Sequence, residues 1–201
     1  MFTRSKITWL FCSISILFIF SACRLELVKM RAPDGRLEGK YKQFRKTELR
    51  HGYYRLYHEN GKLALEMFYK NGKLEGVAKT WYPNGQLESI ATAVNDVYEG
   101  PFKYWYITDT LKQVGNYINN NIEGNLYTYY ANGVLKEIVF FSRSLENGPY
   151  KLYYQNGVLK EEGYFVDGAN LDGLILQYDA EGSLRYKLNC QKAVCDTIWA
   201  K

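Results

Sequence analysis

Apolar and polar residues alternate along most of the chain in short runs separated by tight turns. In one stretch, residues 126–130 are followed by Ala-Asn-Gly and then by the apolar-rich run 134–141. Such runs, rich in aromatic and β-branched residues, are typical of strands, and Asn-Gly between two of them is a strong hairpin signal. No segment keeps apolar residues at helical spacing. We therefore predict an all-β fold of sequential antiparallel hairpins.

The hairpins recur with a period of about 24 residues. In all six copies a boundary glycine is followed five positions later by a tyrosine or tryptophan, and eleven positions later by a leucine. The glycines are Gly52, Gly76, Gly100, Gly124, Gly148 and Gly173, and the aromatic residues are Tyr57, Trp81, Trp105, Tyr129, Tyr153 and Tyr178. Two strands per unit predict one elongated, single-layer antiparallel β-meander of about eleven to thirteen strands. In the third copy Thr108-Asp109 replaces Asn-Gly, which suggests a wider turn or another turn type.

The N-terminal segment has the pattern of a bacterial lipoprotein signal peptide over residues 1–22. Arg4 and Lys6 precede an apolar run over residues 7–20, shorter than the roughly 20 residues of a membrane span. The run leads into Phe-Ser-Ala and then Cys23, which resembles a lipobox with a lipidated cysteine. An uncleaved anchor and an ordinary secretory cleavage are the alternatives. Because arginine rather than aspartate follows Cys23, the resemblance implies the outer membrane of a bacterial cell envelope.

The rest of the chain is divided by the repeat. We predict a tether over residues 23–32, a repeat domain over residues 33–189, and a C-terminal cap or tail over residues 190–201. Within the domain, a partial copy over residues 33–51 precedes units that start near residues 52, 76, 100, 124, 148 and 173.

The charge balance and the cysteine content argue against nucleic-acid binding and against a metal site. Residues 24–201 hold 24 basic and 21 acidic residues, a balance that gives no indication of nucleic-acid binding. Cys190 and Cys195 could form a disulfide in an oxidising compartment or stay as free thiols. Two cysteines without a nearby histidine do not make a metal site. We expect no metal and no cofactor.

The repeated unit resembles the MORN repeat variant (membrane occupation and recognition nexus), and it is also similar to bacterial proteins known as YwqK-type antitoxins. The resemblance rests on the Gly-aromatic-Asn-Gly-Leu pattern and covers roughly residues 33–189. It implies a twisted single-layer β-meander that serves as a scaffold. The last copy departs from the pattern, because Asp179 stands where the four copies before it have tyrosine. An atypical terminal unit is expected of an end cap.

The acidic residues that recur in the repeat, and the two histidines, are better explained by structural roles than by catalysis. An acidic residue precedes four of the boundary glycines, and a residue repeated in every unit is better explained as part of a turn than as a catalyst. These residues are Glu75, Glu99, Glu123 and Asp172. A Ca²⁺ site is a minor alternative, since Ca²⁺ needs six or more converging oxygens. His51 and His58 have no motif partner, and we expect no enzymatic activity.

The aromatic residues form two columns. We expect the first, from Tyr57 to Tyr153, to form a cross-strand ladder that stabilises the sheet. The second consists of Tyr82, Tyr106, Tyr130 and Tyr154, with Lys79, Lys103 and Lys151 each three residues before a member. These tyrosines and lysines are a candidate face for a protein strand, a glycan or lipid headgroups. Exposed tyrosines without a ligand are the alternative.

These observations favour a non-enzymatic scaffold that is attached to the membrane through an N-terminal lipid and binds a protein or another envelope component outside the cytoplasm. One alternative is an antitoxin or immunity protein that neutralises a cognate toxin. Another is a glycan-binding surface lipoprotein.

Overall fold

The computed structural model describes residues 24–201, so the signal peptide and the lipidation candidate Cys23 lie outside the described residues. The strands are β1 Leu25–Arg31, β2 Leu37–Phe44, β3 Gly52–Tyr57, β4 Leu63–Lys70, β5 Lys73–Leu74, β6 Gly76–Trp81, β7 Leu87–Val94, β8 Val97–Tyr98, β9 Gly100–Trp105, β10 Leu111–Ile118, β11 Asn121–Ile122, β12 Gly124–Tyr129, β13 Leu135–Ser142, β14 Leu145–Tyr153, β15 Leu159–Val166, β16 Asn170–Leu171, β17 Gly173–Tyr178, β18 Leu184–Gln191 and β19 Val194–Ala200.

All strands belong to one 19-stranded sheet in which each long strand pairs antiparallel with the long strands before and after it. Each two-residue strand pairs with the long strand that precedes it, as β5 does with β4. Within the described residues β1 pairs only with β2 and β19 only with β18, so the sheet is open. The predicted all-β meander is confirmed. The strand number exceeds the prediction partly because a separate two-residue strand ends two residues before each of four boundary glycines. None of the described residues forms a helix long and apolar enough to cross a membrane.

Residues at both ends of the repeat domain extend the sheet. A tether was predicted for residues 23–32, but Leu25–Arg31 is a strand paired with Leu37–Phe44. The prediction is wrong from Leu25 onward because this hairpin lacks the glycine and aromatic columns that marked the other units. In the predicted cap, Val194–Ala200 pairs with β18, and a disulfide joins Cys190 to Cys195.

The third copy keeps the same hairpin turn as its neighbours despite its different sequence. Asp109 adopts a positive φ of 67°, as Gly85 does at 95° in the preceding unit. Its N–H donates to the carbonyl of Tyr106 at 2.9 Å, and that of Gly85 donates to Tyr82 at 2.8 Å. The expectation of a wider or different turn is therefore wrong, because aspartate tolerates the left-handed region better than most residues.

The two faces of the sheet differ. The core face carries the residue two positions after each boundary glycine, and in the last five units these residues are buried: Ala78, Phe102, Leu126, Tyr150 and Ile175. The lysine face carries the next residue along each strand, which is lysine at positions 79, 103 and 151. Cross-strand partners share a face, so rings on the core face lie beside small residues: Phe102 pairs with Gly115 and Tyr150 with Gly163.

Candidate functional site

The tyrosines of the second column connect neighbouring units. Each hydroxyl donates a hydrogen bond of 2.7–2.8 Å to a backbone carbonyl 23 or 24 residues further on. The pairs are Tyr82 with Trp105, Tyr106 with Tyr129, Tyr130 with Tyr153, and Tyr154 with Tyr178. Lysine ammonium groups also lie over two of the rings, Lys112 over Tyr106 at 5.6 Å and Lys160 over Tyr154 at 5.8 Å. The column therefore stabilises the stacking of units, and its hydroxyls are engaged within the sheet.

His58 occupies the place of this column in the first full unit. Its Nε2 lies 2.6 Å from the carbonyl oxygen of Trp81. Because a carbonyl only accepts, Nε2 carries the proton in this contact. The histidine thus makes the same hydrogen bond to the following unit as a column tyrosine does. Its position six residues after Gly52 is the sequence signal that could have shown this.

The three candidate lysines lie on the lysine face, away from the column hydroxyls. Lys79 and Lys103 are both cross-strand partners of Ile90. Lys151 lies two repeat units beyond Lys103, and its ammonium group contacts a carboxylate oxygen of Glu162 at 3.0 Å. Hydrogen bonding to Lys151 lowers the pKa of Glu162, and the same bond raises the pKa of Lys151. The lysines and the column tyrosines do not converge on one site.

The first aromatic column pairs with leucine. Trp81 is the cross-strand partner of Leu87, Trp105 of Leu111, and the other members are partnered in the same way. Each pairing coincides with a register shift of one residue. The column therefore stabilises each hairpin next to its turn.

The acidic column joins turns of successive units. Glu75 accepts the backbone N–H of Asn95 at 3.0 Å, Glu99 that of Asn119 at 3.0 Å, and Glu123 that of Arg143 at 2.8 Å. The carboxylates therefore satisfy turn donors, as the structural interpretation predicted. No group of His, Cys, Asp or Glu in the part of the chain that the structure describes could hold a metal ion.

Asp179 bonds within its own turn instead of to a following unit. Its carboxylate accepts N–H groups of Ser183 at 2.7 Å and Glu181 at 3.2 Å, and a hydrogen bond from Arg185 at 2.7 Å. The backbone N–H of Ser183 is the largest cause of its lowered pKa. In other units the side chain of a turn asparagine accepts the equivalent N–H, as Asn84 does from Gln86 at 3.0 Å. The last copy lacks that asparagine, and Asp179 accepts the N–H instead.

A half-buried polar network on the core face was not predicted from the sequence. The Tyr150 hydroxyl donates to Glu161 at 2.6 Å, and Gln177 donates to the other Glu161 oxygen at 2.8 Å. Burial, followed by the hydrogen bond to Glu161, raises the pKa of Tyr150. Tyr150 packs with Val139, Ile175 and Cys190 in the main buried cluster. The three polar groups satisfy one another, so the network stabilises the core.

The comparisons with known proteins concern the repeat. Four segments match the family model described as MORN repeat variant: residues 50–71, 74–95, 122–142 and 146–167. No curated protein matches the chain. A component of the Photorhabdus luminescens Tc holotoxin pore, solved as the mutant TccC3-D651A, is similar at 10% identity and a TM-score of 0.25, over 88% of this chain and 11% of that chain.

A crystal structure of TcdB2-TccC3-Cdc42 is similar at 13% identity and a TM-score of 0.25, over 86% of this chain and 12% of the other. The chain thus spans about a tenth of the length of each of these two proteins. The four family matches coincide with units of the sheet described above, so the chain contains four repeats of the MORN variant type.

Proposed function

We propose that the protein is a non-enzymatic repeat scaffold, anchored by a lipid at Cys23 in the bacterial outer membrane, that binds a protein partner at one edge of its sheet. The observation that carries partner binding is the exposed edge strand β19. MORN repeats are in general protein- or membrane-binding modules, which supports a binding role for these units.

The β19 strand presents apolar side chains to solvent. Val194 is 72% exposed, Ile198 59% and Trp199 39%. Edge strands are usually protected by lysine, proline or other charged residues. The one charged residue of β19 is Asp196. An exposed apolar edge with one charge is suited to receive an extended segment of a partner as an added strand.

The register identifies the backbone groups available for such pairing. Gln191 pairs with Val194 across the two-residue turn, and the next pairs are Cys190 with Cys195 and Leu188 with Thr197, separated by Asn189 with Asp196. In an antiparallel ladder, hydrogen-bonded and non-hydrogen-bonded pairs alternate. Counting from the turn, the backbone N–H and C=O groups of Cys195 and Thr197 point away from β18.

Replacing Thr197 with proline is expected to reduce recovery of the partner at least tenfold while the sheet stays folded. Proline has no N–H to donate, and an edge strand tolerates it where that N–H faces solvent. The measurement is quantitative mass spectrometry of a cross-linked pull-down from native membranes. Thr197→Val keeps the N–H and is expected to recover the partner normally. Undiminished recovery with Thr197→Pro, or equal loss with both variants, would contradict strand addition.

The charge distribution supports the proposed anchoring. Residues 24–50, which follow Cys23 directly, contain nine basic and four acidic residues, whereas residues 51–201 contain fifteen basic and seventeen acidic residues. Basic residues close to a membrane are attracted to anionic headgroups by about 1 kcal/mol each. The end of the sheet nearest Cys23 is therefore the end best suited to lie at a membrane surface.

Cys23→Ala is expected to abolish incorporation of a radiolabelled fatty acid, because its thiol is the proposed acylation site. The label is measured on the immunoprecipitated full chain. Cys12→Ala, which removes the other cysteine of the N-terminal segment, is expected to leave labelling unchanged. Equal labelling of wild type and Cys23→Ala would remove the anchoring proposal without affecting partner binding at β19.

A further inference from the structure

A hollow of about 150 Å³ lies on the core face, between β4 and β10. It is separate from the polar network around Tyr150 and from the column hydrogen bonds described above. Its floor consists of Ala78 and Ala91, which are cross-strand partners. Met67 lies on one side, and the rings of Tyr104 and Tyr117 lie on the other. The hollow is far from β19, and its ligand is independent of the edge proposed above.

The hollow exists because one unit lacks the large core residue of the others. The positions equivalent to Ala78 hold Tyr54, Phe102, Leu126, Tyr150 and Ile175. In the next unit the Phe102 ring lies over Gly115, so closely that a Cβ there would be 2.7 Å from Phe102 Cζ. Ala78 has no side chain large enough to fill the equivalent space over its partner Ala91, and both residues line the hollow.

Hydroxyl groups line the rim of the hollow. The hydroxyls of Thr80 and Ser89 lie 2.7 Å apart, and both residues line the hollow with Tyr98 and Tyr117. Burial raises the pKa of Tyr98 and raises that of Tyr117 to about 12. Both phenols therefore stay protonated at neutral pH. The lining residues, all in the described part of the chain, are uncharged. An uncharged ligand with a polar substituent suits this environment.

We propose that the hollow binds a single uncharged aromatic ring carrying a hydroxyl group, a phenol-type ring seated over Ala78 and Ala91. The volume suits one ring, because benzene occupies an enclosed apolar cavity of about 150 Å³. A ring in this open hollow keeps part of its surface in contact with solvent. The flanking tyrosines offer the edge-to-face or offset contacts that aromatic rings prefer. The hydroxyl rim supplies hydrogen-bond partners for the ligand hydroxyl.

The test is calorimetric titration of the purified full chain with p-cresol. Wild type is expected to bind one equivalent saturably. The double variant Ala78→Phe/Ala91→Gly copies the Phe102 and Gly115 pair of the next unit and fills the hollow with the protein's own ring. Its midpoint of urea denaturation is expected to equal or exceed that of the wild type, and its affinity for p-cresol is expected to be at least tenfold weaker. No saturable binding by wild type, or equal affinity in the filled variant, would overturn the proposal.

Further variants keep the test decisive if the double variant folds poorly. Ala78→Leu copies Leu126 and also occupies the hollow, so weaker binding is expected. Val77→Phe adds a ring on the opposite face of the same strand and is expected to bind p-cresol as wild type does. Loss of binding in Val77→Phe, or retention in Ala78→Leu, counts against the site.

Two more probes define the ligand. Cyclohexanol matches the size of the ring without its aromaticity, and affinity equal to that of p-cresol would overturn the aromatic requirement. N-acetyltyrosinamide presents the same phenol on a peptide backbone. Affinity at or above that of p-cresol supports the site and assigns the ring to a tyrosine side chain of a protein. Tenfold weaker affinity supports the site with a free phenolic molecule as its ligand.

Discussion

Replacing Tyr150 with alanine is expected to lower the free energy of unfolding by about 3–5 kcal/mol, the range typical of removing a buried aromatic side chain. Tyr150 is 2% exposed, its ring stacks on Phe165 with 4.2 Å between centroids, and its hydroxyl donates to Glu161 at 2.6 Å. Alanine removes the buried ring, its stacking on Phe165 and the hydrogen bond to Glu161, and it leaves a cavity in the main buried cluster. The measurement is urea denaturation followed by circular dichroism.

Two variants separate the causes of this loss. Tyr150→Phe keeps the ring and removes only the donor to the half-buried Glu161, so we expect about 1–3 kcal/mol, the contribution of a hydrogen bond to a charged group. Tyr164→Ala changes a tyrosine of the same hairpin that is 47% exposed, and we expect less than about 1 kcal/mol. A loss for Tyr150→Ala no larger than that for Tyr164→Ala would show that this cluster is not the stabilising core.

The fold could be predicted from the sequence because the repeat places the same residue types at the same positions of every hairpin. Glycine at the boundary and leucine after the turn reappear as strand ends and cross-strand partners, as Gly76 and Leu87 do. The first hairpin was missed for the complementary reason. Leu25–Arg31 alternates as a strand does, but it lacks the columns. The Asp34-Gly35 turn that joins it to Leu37–Phe44 lies in the partial copy predicted to start at residue 33.

The candidate site was harder to predict because a column can be recognised in sequence without its function being visible. Tyr106 and Tyr130 were expected on a binding face, yet their hydroxyls reach carbonyls in the following unit. That contact depends on how one unit is placed against the next, which periodicity alone does not specify. The hollow likewise depends on the register, because Ala78, the small member of a column of large residues, needs Ala91 as its cross-strand partner.

The close packing of the core leads to the last prediction, at Gly163. A Cβ added there would collide with Ile175 Cδ1 and would lie 3.0 Å from Tyr150 Cε1. Ile175 is fully buried and Tyr150 almost so, so neither can move aside freely. Gly163→Ala is therefore expected to lower the free energy of unfolding by about 1–3 kcal/mol through overpacking. Urea denaturation of the purified protein measures the change.

A double-mutant cycle with Ile175→Val tests the cause, since valine lacks the Cδ1 atom that meets the new methyl group. Ile175→Val alone is expected to cost about 0.5–1.5 kcal/mol. In the double variant we expect a total loss at least about 0.5 kcal/mol smaller than the sum of the single losses. Gly173→Ala is the matched control: its Cβ would meet nothing within 4 Å, and its cost comes from a φ of +73°. Its loss is expected to add to that of Ile175→Val without coupling, whereas additivity at Gly163 would contradict the proposed collision.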